Sequence, residues 1–212
     1  VASCSEVMLP VHGQDRDMPR LEGEDAEALL QPAIKKILAA AGDYCYGIDV
    51  PDLQTAAVQS LRQKGLTVAS AESCTGGLVA ARLTEVPGAS AVFGCGIVSY
   101  NNTVKAEVLG VDPAIIEQHT AVSAETAAAM AEAVRKKSGA DIGIGVTGNA
   151  GPSASEGQPV GLVFVAVASE KYSHVSHLFI DRHDADARNL IRHFAALKAL
   201  SLILRAAGYY KE

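Results

Sequence analysis

The sequence has no tryptophan and only 5% aromatic residues. Its interior cannot be built around large rings, so Ala, Val, Leu and Gly must fill it, which suits helices packed closely on a sheet. Basic residues are also scarce, 18 against 24 acidic ones, for a formal net charge of −6. Sequence-independent binding to nucleic acid needs a basic face, and this balance argues against it while leaving room for a local basic pocket for one small anion. No run approaches the roughly 18 apolar residues of a membrane-spanning helix, and no signal-peptide layout opens the chain. The expectation is a cytoplasmic protein without a membrane or nucleic-acid partner.

Several chemical signatures are missing as well. The four cysteines, Cys4, Cys45, Cys74 and Cys95, form no CxxC and no metal-ligand spacing, and are read as reduced thiols. His174 and His177 lie three apart in an expected strand and point to opposite faces. His183 and His193, with Asp181, Asp184 and Asp186 nearby, lack a defined ligand spacing and are read as surface charge. The patterns GxxxxGK[ST], GxSxG and HExxH do not occur. Their absence removes P-loop phosphoryl transfer, the hydrolase elbow and zincin chemistry as first choices.

What is present is a chain of 212 residues, 49% hydrophobic and 20% charged, enough for one good-sized domain with a short appendage. It begins with Val1 rather than Met, so a processed product or a piece of something longer is expected. Residues 1–25 are irregular. A helical pattern follows in "AEALLQPAIKKILAAAG", with a kink or fresh start at Pro32 and a stop at Gly42. A second helix spans about 52–64 and ends at Gly65. The domain boundary is placed near residue 50, giving a 1–50 extension and a 51–212 main domain.

Beyond that boundary the signals alternate. Strands are expected at 66–71, 91–100, 141–147, 160–169 and 174–180, with helices at 76–84, 103–109, 113–118, 123–138 and 185–207. Ser123 is the expected N-cap of its helix, with Glu125 in the first turn. In the last helix Leu190, Phe194, Leu197 and Leu204 fall on one face, expected to pack on the sheet. The first three strands, separated by helices, should be parallel, and the last two should form a hairpin. The fold class is three-layer α/β/α with a mixed, mostly parallel sheet of about five strands.

Sites in such sheets form beyond the carboxyl ends of the strands. Three segments fit: the turn "SCTGG" at 73–77, "YNNTVK" at 100–105, and the loop opened by Thr147 and Gly148. Ser73, Thr75, Tyr100, Lys105 and Thr147 are expected to converge there. The turn has three readings. Gly76 and Gly77 expose N–H groups at a helix start that can cradle an anion or form an oxyanion hole; Ser73 can be a nucleophile with Lys105 as its base; or the segment is simply a tight turn. Cys74 is a rival nucleophile, with inert burial its more common fate. Arg188 and Arg192, four apart near the start of the last helix, are either a solvated pair or a fork for a phosphate.

"ASAESCTGGLVAARLTEVPGAS", "GCGIVSYNNTVKAEVLGV", "TAVSAETAAAMAEAV" and "GIGVTGNAGPSASEGQPVGLVFVAV" resemble, in order, the signature blocks of the CinA C-terminal domain family. The resemblance covers about residues 52–207. It implies hydrolysis of the carboxamide of nicotinamide mononucleotide to nicotinate mononucleotide and ammonia, with no metal or other cofactor. By resemblance Ser73 is the nucleophile, Lys105 the base, and Tyr100 assists proton transfer. Ser90 and Thr147 are pocket hydroxyls, and Arg188, with Arg192 as alternative, is the basic residue near the last helix. Thr75, Gly76, Gly77 and Gly148 complete the expected substrate contacts. One departure stands out: after "VTG" the family has Ile-Ala-Gly-Pro and further glycine, whereas here Asn149 leads Ala150-Gly151-Pro152-Ser153. Residues 35–53 resemble the segment that joins this domain to a nucleotide-hydrolysing half in full-length relatives, and that activity is not expected of these residues. A homo-oligomer, most commonly a symmetric dimer, is the general expectation. A non-catalytic nucleotide-binding or protein-interaction module is the alternative to the amidase.

Overall fold

The computed structural model describes residues 24–41, 45–46 and 50–208. The expectations for residues 1–23 and for a stop at Gly42 lie outside the described residues. The chain divides into two compact units, residues 1–53 and 54–212. In the first, α1 (Glu24–Ala41) runs through Pro32 as one helix, where the sequence predicts a kink or a restart. The Ala, Leu and Lys residues around the proline are strong helix formers and carry the helix past its missing N–H. Cys45 is buried and disulfide-bonded, which corrects the expectation of four reduced thiols; sequence spacing says nothing about through-space approach. Cys74 and Cys95 are free thiols.

The second unit is built on a five-stranded sheet in the order β2-β1-β3-β4-β5, formed by β1 (Val68–Glu72), β2 (Phe93–Val98), β3 (Ile142–Gly148), β4 (Leu162–Ser169) and β5 (Ser173–Phe179). β1 lies parallel to both β2 and β3. β4 runs antiparallel to β3, and β5 antiparallel to β4. The reason is the length of the connections. Residues between β3 and β4 contain no helix, and a parallel neighbour needs a crossover of a dozen or more residues, usually helical. The helices α2 (Leu53–Lys64), α3 (Leu78–Thr84), α4 (Pro113–His119), α5 (Ala124–Ser138) and α6 (Ala187–Ala206) complete the layers. None of the described helices is long and apolar enough to cross a membrane.

Side-chain alternation assigns the faces. Ala69 and Ala71 of β1 pack with Leu109, Val111, Met130 and Val134 beneath α5. Gly143 and Gly145 of β3 point the same way, and a Cβ on them would lie 2.0 Å from the Ala131 carbonyl oxygen and 2.2 Å from that of Ala127. Only glycine lets α5 sit so close to the strand. Ser123 caps α5 as expected, its hydroxyl accepting from the Thr126 N–H at 3.1 Å. The face expected of α6 is partly corrected: Leu204 is buried, Leu190 and Leu197 are half-buried and Phe194 is exposed, whereas the buried stripe runs through Ile191, Ala195, Ala199, Leu202 and Ile203. Small alanines let the helix approach the sheet, and each large buried aliphatic contributes about 1.5–3 kcal/mol.

Because β4 and β5 return antiparallel, one edge of the sheet collects the ends of β1, β2 and β3, the start of β4 and the end of β5. The start of α6 follows directly on that edge.

Candidate active site

β1 ends in Glu72, buried and facing the α3 layer. Its carboxylate accepts from the N–H groups of Gly77 and Val79 at 3.0 Å each, from Ala80 N–H at 2.9 Å and from the Ser70 hydroxyl at 3.2 Å. An internal anion thus satisfies the open donors and positive dipole end of α3. The Gly76 N–H donates to the Ser73 carbonyl at 3.0 Å. Neither Gly76 nor Gly77 has its N–H free, so the expected anion cradle at this helix start is corrected: Glu72 already occupies it. Both residues have left-handed backbones, with φ of +60° and +95°, which explains glycine by conformation alone.

The turn itself is held to β3, the Ser73 N–H donating to the Val146 carbonyl at 2.9 Å. Ser73 is 8% exposed, and its hydroxyl makes no hydrogen bond among the described residues. Thr75 is buried with its hydroxyl unpartnered, as is Ser99 at the end of β2. Burial pushes the Cys74 thiol up to about 12, and the nearby Glu72 charge adds to this while Arg192 opposes it. Such a group stays a thiol, which argues against it as the nucleophile. Arg192 donates from Nε to the Cys74 carbonyl at 3.2 Å and from Nη2 to the Thr75 carbonyl at 3.0 Å, clamping the turn from α6.

Lys105 comes from a π-helical turn, Val104–Leu109. Its N–H donates to the Asn101 carbonyl at 3.0 Å, while its carbonyl accepts from the Val111 N–H at 2.9 Å. This widened turn, closed by left-handed Gly110, turns the lysine inward, and Lys105 is 1% exposed. Burial lowers its pKa; the charge of Glu156 and the Cys74 thiol oppose that effect. The amine is therefore within electrostatic reach of the residue that follows Ser73. Its hydrogen bond is to Asn102 Oδ1 at 3.4 Å, not to Ser73.

Tyr100 is 60% exposed. Arg188 donates from Nη2 to its hydroxyl at 3.1 Å and from Nη1 to the Gly151 carbonyl, so the end of β2, the β3–β4 loop and α6 meet at one guanidinium. The buried Thr147 hydroxyl donates to the Ala121 carbonyl at 2.6 Å. Gly148 has a packing reason, since a Cβ there would lie 2.8 Å from the Leu162 carbonyl oxygen. Asn149, the departure from the family pattern, knits its own loop. Its Nδ2 donates to the carbonyls of Ser153 and Gln158 at 3.0 and 3.1 Å, and its Oδ1 accepts from the Gly151 N–H at 2.9 Å.

Ser90 does not join this group. It lies before β2, exposed, in a short 3-10 turn over Ala89–Ala91, and the next residues pair with the start of β1, Val68 N–H donating to the Val92 carbonyl at 2.7 Å. Ser73 follows the far end of β1, about 16 Å away at the usual rise per strand residue. Within the chain Ser90 is at the opposite edge of the sheet, a correction the parallel pairing of β1 and β2 makes unavoidable.

Sequence reasoning missed Glu72, Ser99, Asn102 and Glu156. An acidic residue five positions before Gly77, at the expected end of a buried strand, was a usable signal for Glu72. Nothing local marks Glu156, which reaches the site only through the fold. Among the described residues no group of three or more His, Cys, Asp or Glu side chains is placed to hold a metal ion.

Fold and site together define a three-layer α/β domain with a polar site at the carboxyl edge of a mixed sheet. The sequence pattern of the CinA C-terminal domain matches residues 51–207, and the chain belongs to that family. It is 40% identical over 183 residues to a putative competence-damage inducible protein of Caldanaerobacter subterraneus subsp. tengcongensis, covering 86% of this chain and 43% of that one. A CinA-like protein of Desulfovibrio desulfuricans is 47% identical over 146 residues, covering 68% of this chain and 34% of the relative. The chain thus spans less than half the length of these relatives. Among solved structures, a CinA superfamily protein from Klebsiella pneumoniae 700603 aligns with a TM-score of 0.69 at 27% identity, covering 74% of this chain and 97% of the other. The competence/damage inducible protein CihA from Agrobacterium tumefaciens aligns with a TM-score of 0.67 at 34% identity, covering 76% and 98%.

Proposed function

We propose that this chain is an amidohydrolase that converts nicotinamide mononucleotide to nicotinate mononucleotide and ammonia, through Ser73 as nucleophile and Lys105 as base. The observation that carries the reading is a buried lysine with its pKa lowered by burial, at the same sheet edge as a serine hydroxyl with no hydrogen bond of its own. A neutral amine accepts a proton, and an unengaged hydroxyl can give one.

In this reading the Ser73 oxygen attacks the carboxamide carbon and its proton passes to Lys105. The tetrahedral intermediate collapses, Lys105 returns the proton to the leaving nitrogen, and ammonia departs. Water, deprotonated by Lys105, then cleaves the acyl ester on Ser73 and frees the acid. The Thr75 hydroxyl, buried and unpartnered, is the side-chain donor for the oxyanion. Arg188 and Tyr100 stand at the mouth, where a guanidinium with exposed donors suits a substrate phosphate. The assay is release of ammonia together with nicotinate mononucleotide by the purified chain, with Lys105→Met as control. Product in equal amounts, lost with the substitution, supports the amidase; no ammonia from the unmutated chain overturns it.

A second reading has one observation in its favour: the Lys105 amine is bonded to Asn102 and not to Ser73. In a non-catalytic nucleotide-binding module that arrangement would persist, and the nucleotide would bind without ammonia release.

A further inference from the structure

The long loop between β3 and β4 sends one carboxylate back toward Lys105. Glu156 Oε2 accepts from the Ala121 N–H at 2.8 Å, and its Oε1 accepts from Asn102 Nδ2 at 3.3 Å. Asn102 Oδ1 in turn accepts from the Lys105 amine at 3.4 Å. On the other side, the Ala121 carbonyl accepts from Thr147 at 2.6 Å. One chain of hydrogen bonds thus runs Lys105–Asn102–Glu156–Ala121–Thr147, joining the π-helical turn, the β3–β4 loop, the α4–α5 connection and β3.

Two backbone features lie on this chain. Among the described residues, Thr120 and Glu156 are the non-glycine residues with positive φ, at +70° and +51°. Left-handed backbone is unfavourable for a β-branched residue and persists only where surroundings over-determine it. Thr120 is held by its carbonyl, which accepts from the hydroxyls of Thr126 at 2.7 Å and Ser123 at 3.1 Å. That fixes the next peptide, whose N–H meets Glu156.

We infer that Glu156, acting through Asn102, is a positioning residue that fixes the direction and the protonation of the Lys105 amine. A carboxylate only accepts, so it draws the Asn102 NH2 toward itself and leaves Oδ1 for the lysine. An amine that donates to Oδ1 keeps its lone pair turned away from Asn102, free for a proton from another group. The negative charge also favours the ammonium form and opposes the effect of burial. The titratable groups acting on Lys105 are Glu156 from the loop and Cys74 from the turn after β1; the latter is a neutral thiol. Glu156 is therefore the adjustable charge.

The inference rests on Lys105 as the base of the proposed amidase, but it can be read without turnover. The measurement is heteronuclear NMR titration of the Lys105 side chain in the full chain labelled with 13C-lysine, the signal assigned by its loss in Lys105→Arg. Glu156→Gln keeps an acceptor for Ala121 while removing the charge, and the Lys105 midpoint should move to lower pH. Glu156→Asp keeps the charge, and its midpoint should stay closer to that of the unmutated chain. A midpoint unmoved in Glu156→Gln, with the folded spectrum retained, overturns the inference, because a loop latch without electrostatic coupling gives that result. Where the chain hydrolyses the nucleotide, Glu156→Gln should also shift the rising limb of kcat/KM to lower pH, and Asn102→Ala should lower kcat roughly ten- to a hundredfold by mispositioning the amine. A moved midpoint in a chain that releases no ammonia supports the inference and sinks the amidase. Ammonia release with an unmoved midpoint does the reverse.

Discussion

Replacing Glu72 by alanine is the sharpest structural perturbation available at this edge. The carboxylate serves four donors: the N–H groups of Gly77, Val79 and Ala80, and the Ser70 hydroxyl. Three are backbone groups at the first turn of α3, and the side chain that meets them is buried. Each buried donor left unpaired costs about 1–3 kcal/mol, and loss of the charge at the helix start adds up to about 1–2 kcal/mol. The Ser70 hydroxyl can rotate, and water can enter the gap, so the sum is discounted to about 3–5 kcal/mol. Glu72→Gln keeps the shape but offers one acceptor oxygen. It can serve Gly77 and Val79 while its NH2 meets the Ala80 N–H, for a loss of about 2–3 kcal/mol. Urea unfolding at constant m-value reads both differences. Sulfate adds a second signature: with the carboxylate gone, the vacated donors form an anion site, so sulfate should stabilise Glu72→Ala more than the unmutated chain. An Ala variant within about 1 kcal/mol of the unmutated chain would refute the capping role.

The remaining predictions concern the site and the layer beneath it. Burial holds the Lys105 amine below the ordinary lysine range, so its proton-accepting form is present at lower pH than on a surface lysine. The rate should rise with pH through that lowered pKa, and Lys105→Arg, which stays charged, should be inactive; a rising limb at the ordinary lysine value would contradict this. By linkage, unfolding free energy should rise with pH between the lowered folded value and the unfolded value, because there the unfolded chain binds more protons. Gly143→Ala places a Cβ 2.0 Å from the Ala131 carbonyl oxygen and should cost about 3 kcal/mol in urea unfolding by displacing α5. Arg188→Ala should raise KM with little change in kcat, because a phosphate contact is shared by ground and transition states; unchanged kinetics would remove the residue from the site.

Much of this architecture was legible because it rests on period and punctuation. The alternation of apolar strands with helices predicted parallel β1, β2 and β3, and Ser123 and Gly65 marked helix ends by capping chemistry. The face of α6 was only partly legible, with Leu204 buried but Phe194 exposed, because alanines carry no hydrophobic signal strong enough to outrank Leu190 and Phe194. Placing chemistry at strand ends anticipated that the turn after β1 lies beside the end of β3, where the Ser73 N–H donates to the Val146 carbonyl, and that Lys105 comes within electrostatic reach of Cys74. The hydroxyls of Thr75 and Thr147 join neither residue. What stayed hidden is what the chain brings from a distance. Glu156 meets Asn102 across 54 positions of sequence, and Arg192 reaches the Thr75 carbonyl across 117. Gly76 and Gly77 were over-read: glycine at a helix start signals a conformation before it signals a ligand, and the Ser73 carbonyl and the Glu72 carboxylate had taken their N–H groups.

The central claim is that the turn after β1 presents a nucleophile. Ammonia release from nicotinamide mononucleotide, with nucleotide binding measured in parallel, should be compared for the unmutated chain, Ser73→Ala and Cys74→Ala. The account predicts that Ser73→Ala binds the nucleotide but loses about three or more orders of magnitude in turnover, as nucleophile removals do, while Cys74→Ala stays active. Turnover that survives in Ser73→Ala, or that vanishes only in Cys74→Ala, would contradict it.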